Sequence, residues 1–113
     1  MSKIRIKPCA LKDLAPCAKL LVSVYSEPPY NEKWKLATAK AYLGRFLKAD
    51  PEGCFVADTD GKVIGAIFSL AYPWQAGKSV GIQELFVSPK QRRKGIGKQL
   101  LSKINHGQKP VPG

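Results

Sequence analysis

The segment Ile82-Gln83-Glu84-Leu85-Phe86-Val87-Ser88-Pro89-Lys90-Gln91-Arg92-Arg93-Lys94-Gly95-Ile96-Gly97-Lys98-Gln99-Leu100-Leu101 joins a strand, a basic turn and a glycine-opened helix in direct succession. Ile82, Glu84 and Phe86 alternate with Gln83, Leu85 and Val87, which is strand periodicity and puts the first three on one face. Pro89 stops the ladder because it has no N–H to donate. Beyond Gly97, Leu100, Leu101 and Ile104 return with Ile96 at helical spacing. The free N–H groups of the turn therefore fall at a helix N-terminus, where the macrodipole favours an anion. Gly95 and Gly97 let that backbone touch a ligand, and the segment reads as a socket for a pyrophosphate.

Two better-known phosphate loops do not fit. A Walker A loop needs a glycine five residues before its Gly-Lys pair and a Ser or Thr after it, but Arg92 precedes Gly97-Lys98 and Gln99 follows. The dinucleotide fingerprint needs a third glycine where Leu100 stands and a later acidic strand for which the chain has no room. Four cations crowd between Lys90 and Lys94, a concentration of like charge that an ordinary solvated turn avoids.

Composition bounds the rest. The chain has 113 residues, enough for one domain with a modest core, and 44% hydrophobic residues, which argues against disorder. Nineteen Lys and Arg against eight Asp and Glu give a formal net charge of +11. A polyanionic partner is implied: a nucleic acid, an anionic membrane or a cofactor with several phosphates. Cys9, Cys17 and Cys54 are odd in number and lack Cys-x-x-Cys spacing, so neither a metal site nor a disulfide framework is expected, and reduced thiols point to the cytoplasm. The N-terminus alternates charge with Ile and does not read as a signal peptide. The longest uncharged run, Val63 to Gly77, is 15 residues and is broken by Pro73, too short to span a bilayer.

Upstream, Ile4 and Ile6 alternate with Arg5 and Lys7 as a first strand. A helix follows with Asp13 as N-cap, Pro16 in its first turn, and Leu14, Cys17, Ala18, Leu21, Val24 and Tyr25 as its apolar stripe. A second helix fits Lys35 to Leu47, burying Ala39, Tyr42, Leu43, Phe46 and Leu47. Cys54 to Ala57 and Val63 to Tyr72 then flank a hairpin turn at Asp58-Thr59-Asp60-Gly61. A further strand, Val80 to Val87, is reached through Trp74 to Lys78.

The pattern Arg/Gln-x-x-Gly-x-Gly/Ala, present as Arg92-Arg93-Lys94-Gly95-Ile96-Gly97, resembles the acetyl-CoA loop of the GNAT N-acetyltransferase superfamily. A Val-x-Pro strand end leads into it and an Ile/Leu-rich helix leads out, and the order of elements upstream is similar as far as about Ile104. The resemblance implies an α/β domain of α+β type. Its mixed sheet would have mostly antiparallel N-terminal strands flanked by helices, over residues 1–105, followed by a flexible tail at 106–113. The superfamily continues with further strands and a helix, whereas this sequence runs from Asn105 to Gly113 with two prolines and two glycines in its last seven residues. The C-terminal part of the fold is therefore expected to be missing, leaving an open sheet edge that a homo-oligomer would complete.

The resemblance further implies transfer of an acetyl group from acetyl-CoA to a primary amine of a small molecule or peptide. Glu84 would be the base that takes the amine's proton, partial burial making it a better one; alternatively its face is solvated and it pairs with a lysine. Backbone from Arg92, Arg93 and Lys94 through Gly95, Ile96, Gly97 and Lys98 would hold CoA's pyrophosphate, and Leu85, Phe86 and Val87 its pantetheine arm. Glu27, Tyr30, Trp34 and Tyr72 are the candidate acceptor contacts. The competing reading is a non-catalytic CoA-binding module, or a basic module that binds nucleic acid.

Overall fold

A computed structural model describes residues 3–74 and 77–107. Its strands are β1 (Ile4–Pro8), β2 (Cys54–Thr59), β3 (Lys62–Trp74) and β4 (Gly77–Val87), and its helices α1 (Leu14–Ser26), α2 (Leu36–Ala49) and α3 (Ile96–Gly107). The four strands form one sheet in the order β1-β2-β3-β4, each antiparallel to its neighbour. The fold is of α+β type, as expected. Most of the expected tail, residues 108–113, lies outside the described residues.

Both faces of the sheet are covered, and the period-2 alternation of its strands divides the core in two. Leu14, Cys17, Leu21 and Val24 of α1 and Ala39, Leu43 and Leu47 of α2 pack on Cys54, Val56, Ala66, Phe68 and Phe86. Phe68 and Phe86 stack with centroids 6.4 Å apart. On the opposite face, Ile96, Leu100 and Ile104 of α3 pack on Ala57, Ile64 and Ile67. Phe68, Ile96 and Leu100 are almost wholly buried, which favours folding by about 1.5–3 kcal/mol for each such side chain. Helix α3 is thus held by its own apolar stripe, with its N-terminus shortly after the end of β4. No helix among the described residues is long and apolar enough to cross a membrane.

Four local expectations change. The turn read at Asp58-Thr59-Asp60-Gly61 is only Asp60-Gly61, both at positive φ (52° and 78°), as a two-residue hairpin turn requires. Asp58 and Thr59 stay in β2, opposite Val63 and Lys62. The acid that suggested a turn is a buried carboxylate, 2% exposed, which accepts from Arg5 at 3.3 and 3.4 Å and pairs with Lys7 at 3.2 Å. The β3–β4 hairpin is also longer than read, pairing Trp74 with Gly77. Residues 75–76 of the expected link lie outside the described residues.

Asp13 stands at the N-cap position of α1, but its side chain does not cap that helix. A 3-10 turn at Leu11–Asp13 precedes α1, and the Asp13 carboxylate reaches back to accept from the Ala10 N–H at 2.8 Å. The last change concerns β4. Its register with β3 runs Phe68 opposite Glu84 and then Ser69 opposite Ile82, skipping Gln83. This extra residue resets the alternation. Ile82 therefore leaves the face of Glu84 and Phe86, on which strict period-2 reading placed it, and is 45% exposed.

Candidate active site

Pro89–Gln91 turn as a single 3-10 turn after β4, and the backbone then passes through positive φ at Arg93 (68°) and Gly95 (76°) before α3 begins at Ile96. The first α-helical bond of α3 is Gln99 N–H to Gly95 C=O at 3.0 Å. The N–H groups of Ile96, Gly97 and Lys98 precede it and have no carbonyl one turn earlier to receive them. They point out of the helix start with the positive end of its dipole.

Gly97 carries a particular signal. Its φ is not in the left-handed region, and a Cβ built there would meet no atom within 4 Å. Nothing among the described residues requires glycine at that position. Open space over bare backbone at a helix N-terminus suits an anion that approaches the amides closely, so the residues present fit a pyrophosphate.

The loop forms one wall of an open groove of about 660 Å³. Leu85, Phe86 and Val87 supply its floor, Arg92, Arg93, Gly95, Ile96, Gly97 and Lys98 its loop side, and Tyr25, Pro28, Pro29 and Tyr30 the wall opposite. Nine of the ten residues expected at a cofactor site are thereby brought together. The tenth, Lys94, does not line the groove and instead donates to Gln91 Oε1 at 2.9 Å.

Glu84 sits one residue beyond the floor, on the α1–α2 side of the sheet. Tyr25 of α1 donates to its Oε1 and Tyr42 of α2 to its Oε2, each at 2.6 Å. The half-buried carboxylate is held by two phenols, so the lysine pairing weighed from sequence is not what the structure shows. Burial first, and then the bond to Glu84 and its charge, push the Tyr42 hydroxyl up to about 12 and raise that of Tyr25. Both phenols therefore remain protonated donors throughout the neutral range.

Sequence reading placed Tyr25 and Tyr42 in apolar helix stripes and missed this role. A signal was there: a tyrosine in an aliphatic stripe carries a hydroxyl that needs a partner, and Glu84 between apolar strand residues needs donors. The aromatic contacts continue outward on both sides. Tyr30 packs edge-on against Tyr25 at 4.9 Å, and Trp34 lies at 5.2 Å from Tyr42.

The four candidate acceptor residues do not converge. Tyr30, 50% exposed, lines the groove. Trp34 donates its indole N–H to Glu32 at 2.7 Å, outside the groove. Glu27 contributes its backbone carbonyl to the amides of Tyr30 and Asn31 and is exposed. Tyr72 is exposed far along β3, opposite Ser79.

A sequence model of the acetyltransferase (GNAT) family matches residues 17–106. Among solved structures, a possible acetyltransferase from Clostridium difficile 630 superposes with a TM-score of 0.75 at 23% identity, over 91% of this chain and 69% of that one. A ribosomal-protein-alanine N-acetyltransferase from Brucella melitensis biovar Abortus 2308 gives 0.70 at 19% identity, over 92% and 70%. A diaminobutyrate acetyltransferase from Paenibacillus lautus, in complex with L-2,4-diaminobutyric acid and coenzyme A, gives 0.66 at 17% identity, over 92% and 57%. These likenesses are of fold. No curated protein matches the chain.

Proposed function

The chain belongs to the acetyltransferase (GNAT) family, and on that premise we propose that it is an acetyl-CoA-dependent N-acetyltransferase acting on a primary amine of a small molecule or peptide. The observation that carries the reading is the juxtaposition of an amide-rich helix start on one wall of the groove and, one residue beyond its floor, a carboxylate held by Tyr25, which lines the opposite wall, and by Tyr42. Acetyl-CoA, when bound, supplies an acetyl thioester as the electrophile. The amides of Ile96, Gly97 and Lys98 would bind its pyrophosphate, with Arg92 and Arg93 beside them. Leu85, Phe86 and Val87 would carry the pantetheine arm along the open edge of β4.

An amine is protonated at neutral pH and cannot attack until it loses a proton. In this reading Glu84 takes that proton, directly or through a water, with a lone pair that the tyrosines leave free. Tyr25 and Tyr42 hold the carboxylate in place so that it need not reorganise. Tyr30 is the acceptor-side contact. The bulge at Gln83 divides β4: its second half faces the groove, while its first half, Gly77 to Ile82, is an edge that a second copy of the chain would cover. The three free, buried thiols suit a reducing compartment such as the cytoplasm.

The test is calorimetric titration with CoA, followed by an assay of thiol release from acetyl-CoA across a panel of small amines and peptide N-termini. Saturable CoA binding and amine-dependent thiol release are expected. Binding only to a short DNA duplex, and only at low salt, would replace this reading with that of a basic nucleic-acid module.

A further inference from the structure

Three cysteines meet in the core beneath α1 and α2. Cys9 follows β1, Cys17 lies in the first turn of α1 and Cys54 opens β2, and all three belong to the same apolar cluster. The Cys9 N–H donates to the Cys54 carbonyl at 2.9 Å, and the Cys17 thiol hydrogen-bonds the Cys9 sulfur. Their exposure differs. Cys17 and Cys54 are 0% exposed, whereas Cys9, at 7%, lines an open groove of about 480 Å³. One thiol therefore reaches the surface, and its hydrogen-bonded partner stands behind it.

A thiol attacks as its thiolate. The bond from Cys17 holds the Cys9 thiol below its ordinary range, with Lys7 assisting and burial and Asp13 opposing. The same bond, and then burial, push the Cys17 thiol up, and burial pushes that of Cys54 up to about 12. Cys9 is thus the thiol readiest to lose its proton, and it is also the one the groove reaches. The Cys9 thiol has a long contact, 3.6 Å, to the Ala10 carbonyl, which ionisation gives up. Leu11, Leu14, Leu47 and Pro51 make the groove apolar, with Lys48 its one charged residue among those described. Such walls admit an uncharged reagent more readily than a charged one.

We propose that Cys9 and Cys17 form a peroxide-reactive dithiol, in which Cys9 is the attacking and Cys17 the resolving thiol, and that its oxidant is an uncharged hydroperoxide entering by the groove. The Cys9 thiolate attacks the peroxide: an S–O bond forms, the O–O bond breaks, and the alkoxide or hydroxide that leaves takes up a proton. The resulting sulfenic acid is then attacked by the Cys17 sulfur, forming the S–S bond and breaking S–O, and the Cys17 proton leaves with the hydroxyl as water. Two thiols are oxidised to one disulfide, and one peroxide is reduced to an alcohol (or water) and water. The product ties the end of β1 to the first turn of α1. Reversible disulfides of this kind are the ones expected among thiols that are otherwise kept reduced.

The experiment treats the folded full chain with a stoichiometric amount of hydrogen peroxide or cumene hydroperoxide and maps its thiols by mass spectrometry without reduction. A Cys9–Cys17 disulfide that dithiothreitol reverses is expected, with Cys54 still free. Cys17→Ser should stop the reaction at the first step and leave a Cys9 sulfenic acid that dimedone traps. Cys9→Ser should slow peroxide consumption by at least about 10-fold, and Cys54→Ser should react as the parent does. Circular dichroism checks that each variant folds, and the parent alone suffices to decide. Oxidation spread evenly over the three thiols, a disulfide that includes Cys54, or thiols that react only after urea has unfolded the chain would overturn the proposal.

Discussion

The Tyr42 hydroxyl donates to Glu84 Oε2 at 2.6 Å, tying the middle of α2 to the bulged part of β4. Tyr25 does the same from α1 to the other oxygen. A carboxylate fixed by two helices and set beside an open groove can serve packing and chemistry at once, and substitutions separate the two. Glu84→Gln preserves size and should leave CoA affinity unchanged while lowering acetyl transfer by roughly 10²- to 10⁴-fold, the range for loss of general-base assistance. Undiminished turnover would remove Glu84 from the mechanism. Tyr42→Phe should lower kcat with little change in the KM for acetyl-CoA. It should also delete, from an ultraviolet titration, a phenol that ionises only near 12 in the parent.

Gly97 yields a prediction in which stability and binding move in opposite directions. A side chain there meets nothing within 4 Å, and an acidic residue in the first turn of a helix is favoured by the dipole by about 0.3–1 kcal/mol. Gly97→Glu should therefore melt no lower than the parent and yet lose CoA binding by at least about 100-fold, because it places a carboxylate where phosphate would lie. Retained CoA affinity in this variant would show that the pyrophosphate does not sit on α3.

The loop and its helix were legible because glycines, cations and an Ile/Leu stripe are local signals: Ile96, Leu100 and Ile104 needed only spacing to be read as a buried face. The layers followed from the same periodicities in α1 and α2. What escaped depends on partners distant in the chain. The bulge at Gln83 is set by pairing with β3, and no feature within β4 marks it. Asp58 looked like a turn residue because its partners, Arg5 and Lys7, lie more than fifty positions away. The tyrosines of the site were hidden for a related reason, since a ring in an apolar stripe satisfies the pattern while its hydroxyl answers to another strand. Glu27, Trp34 and Tyr72 were grouped by residue type, as an acid and aromatics that suit a cationic acceptor, and residue type does not place residues together.

Close packing of α3 on the sheet depends on Gly65. A Cβ there would come within 3.2 Å of the Phe86 carbonyl oxygen, 3.3 Å of Ile96 Cγ2 and 3.4 Å of Leu100 Cδ1. Gly65→Val should force α3 away from β3 and cost about 1–3 kcal/mol, the usual penalty for overpacking, as read from urea unfolding. Because Ile96 opens the loop helix, CoA affinity should fall with it. Gly65→Ala should show both effects at smaller size. Normal stability in the valine variant would mean that α3 can shift freely.

The last prediction concerns pH and the buried carboxylate of Asp58. Burial alone would raise its pKa, but the bonds from Arg5 and Lys7 outweigh that effect and hold it below the ordinary value of 3.8. A carboxyl depressed in the folded state adds stability that is fully present above its unfolded value. That stability is lost as pH falls through the folded value, so the window lies below about pH 4. Asp58→Asn removes the charge and leaves Arg5 and Lys7 without it, although Lys7 retains a 3.8 Å contact with Asp13. The variant should be less stable than the parent by about 1–3 kcal/mol at neutral pH, as expected for hydrogen bonds to a charged group. Urea unfolding at a series of pH values should then show the two proteins converging in acid, because the parent loses its own ion pairs there. A gap of the same size at pH 7 and in strong acid would assign the cost to packing of the side chain, and the linkage argument would fail.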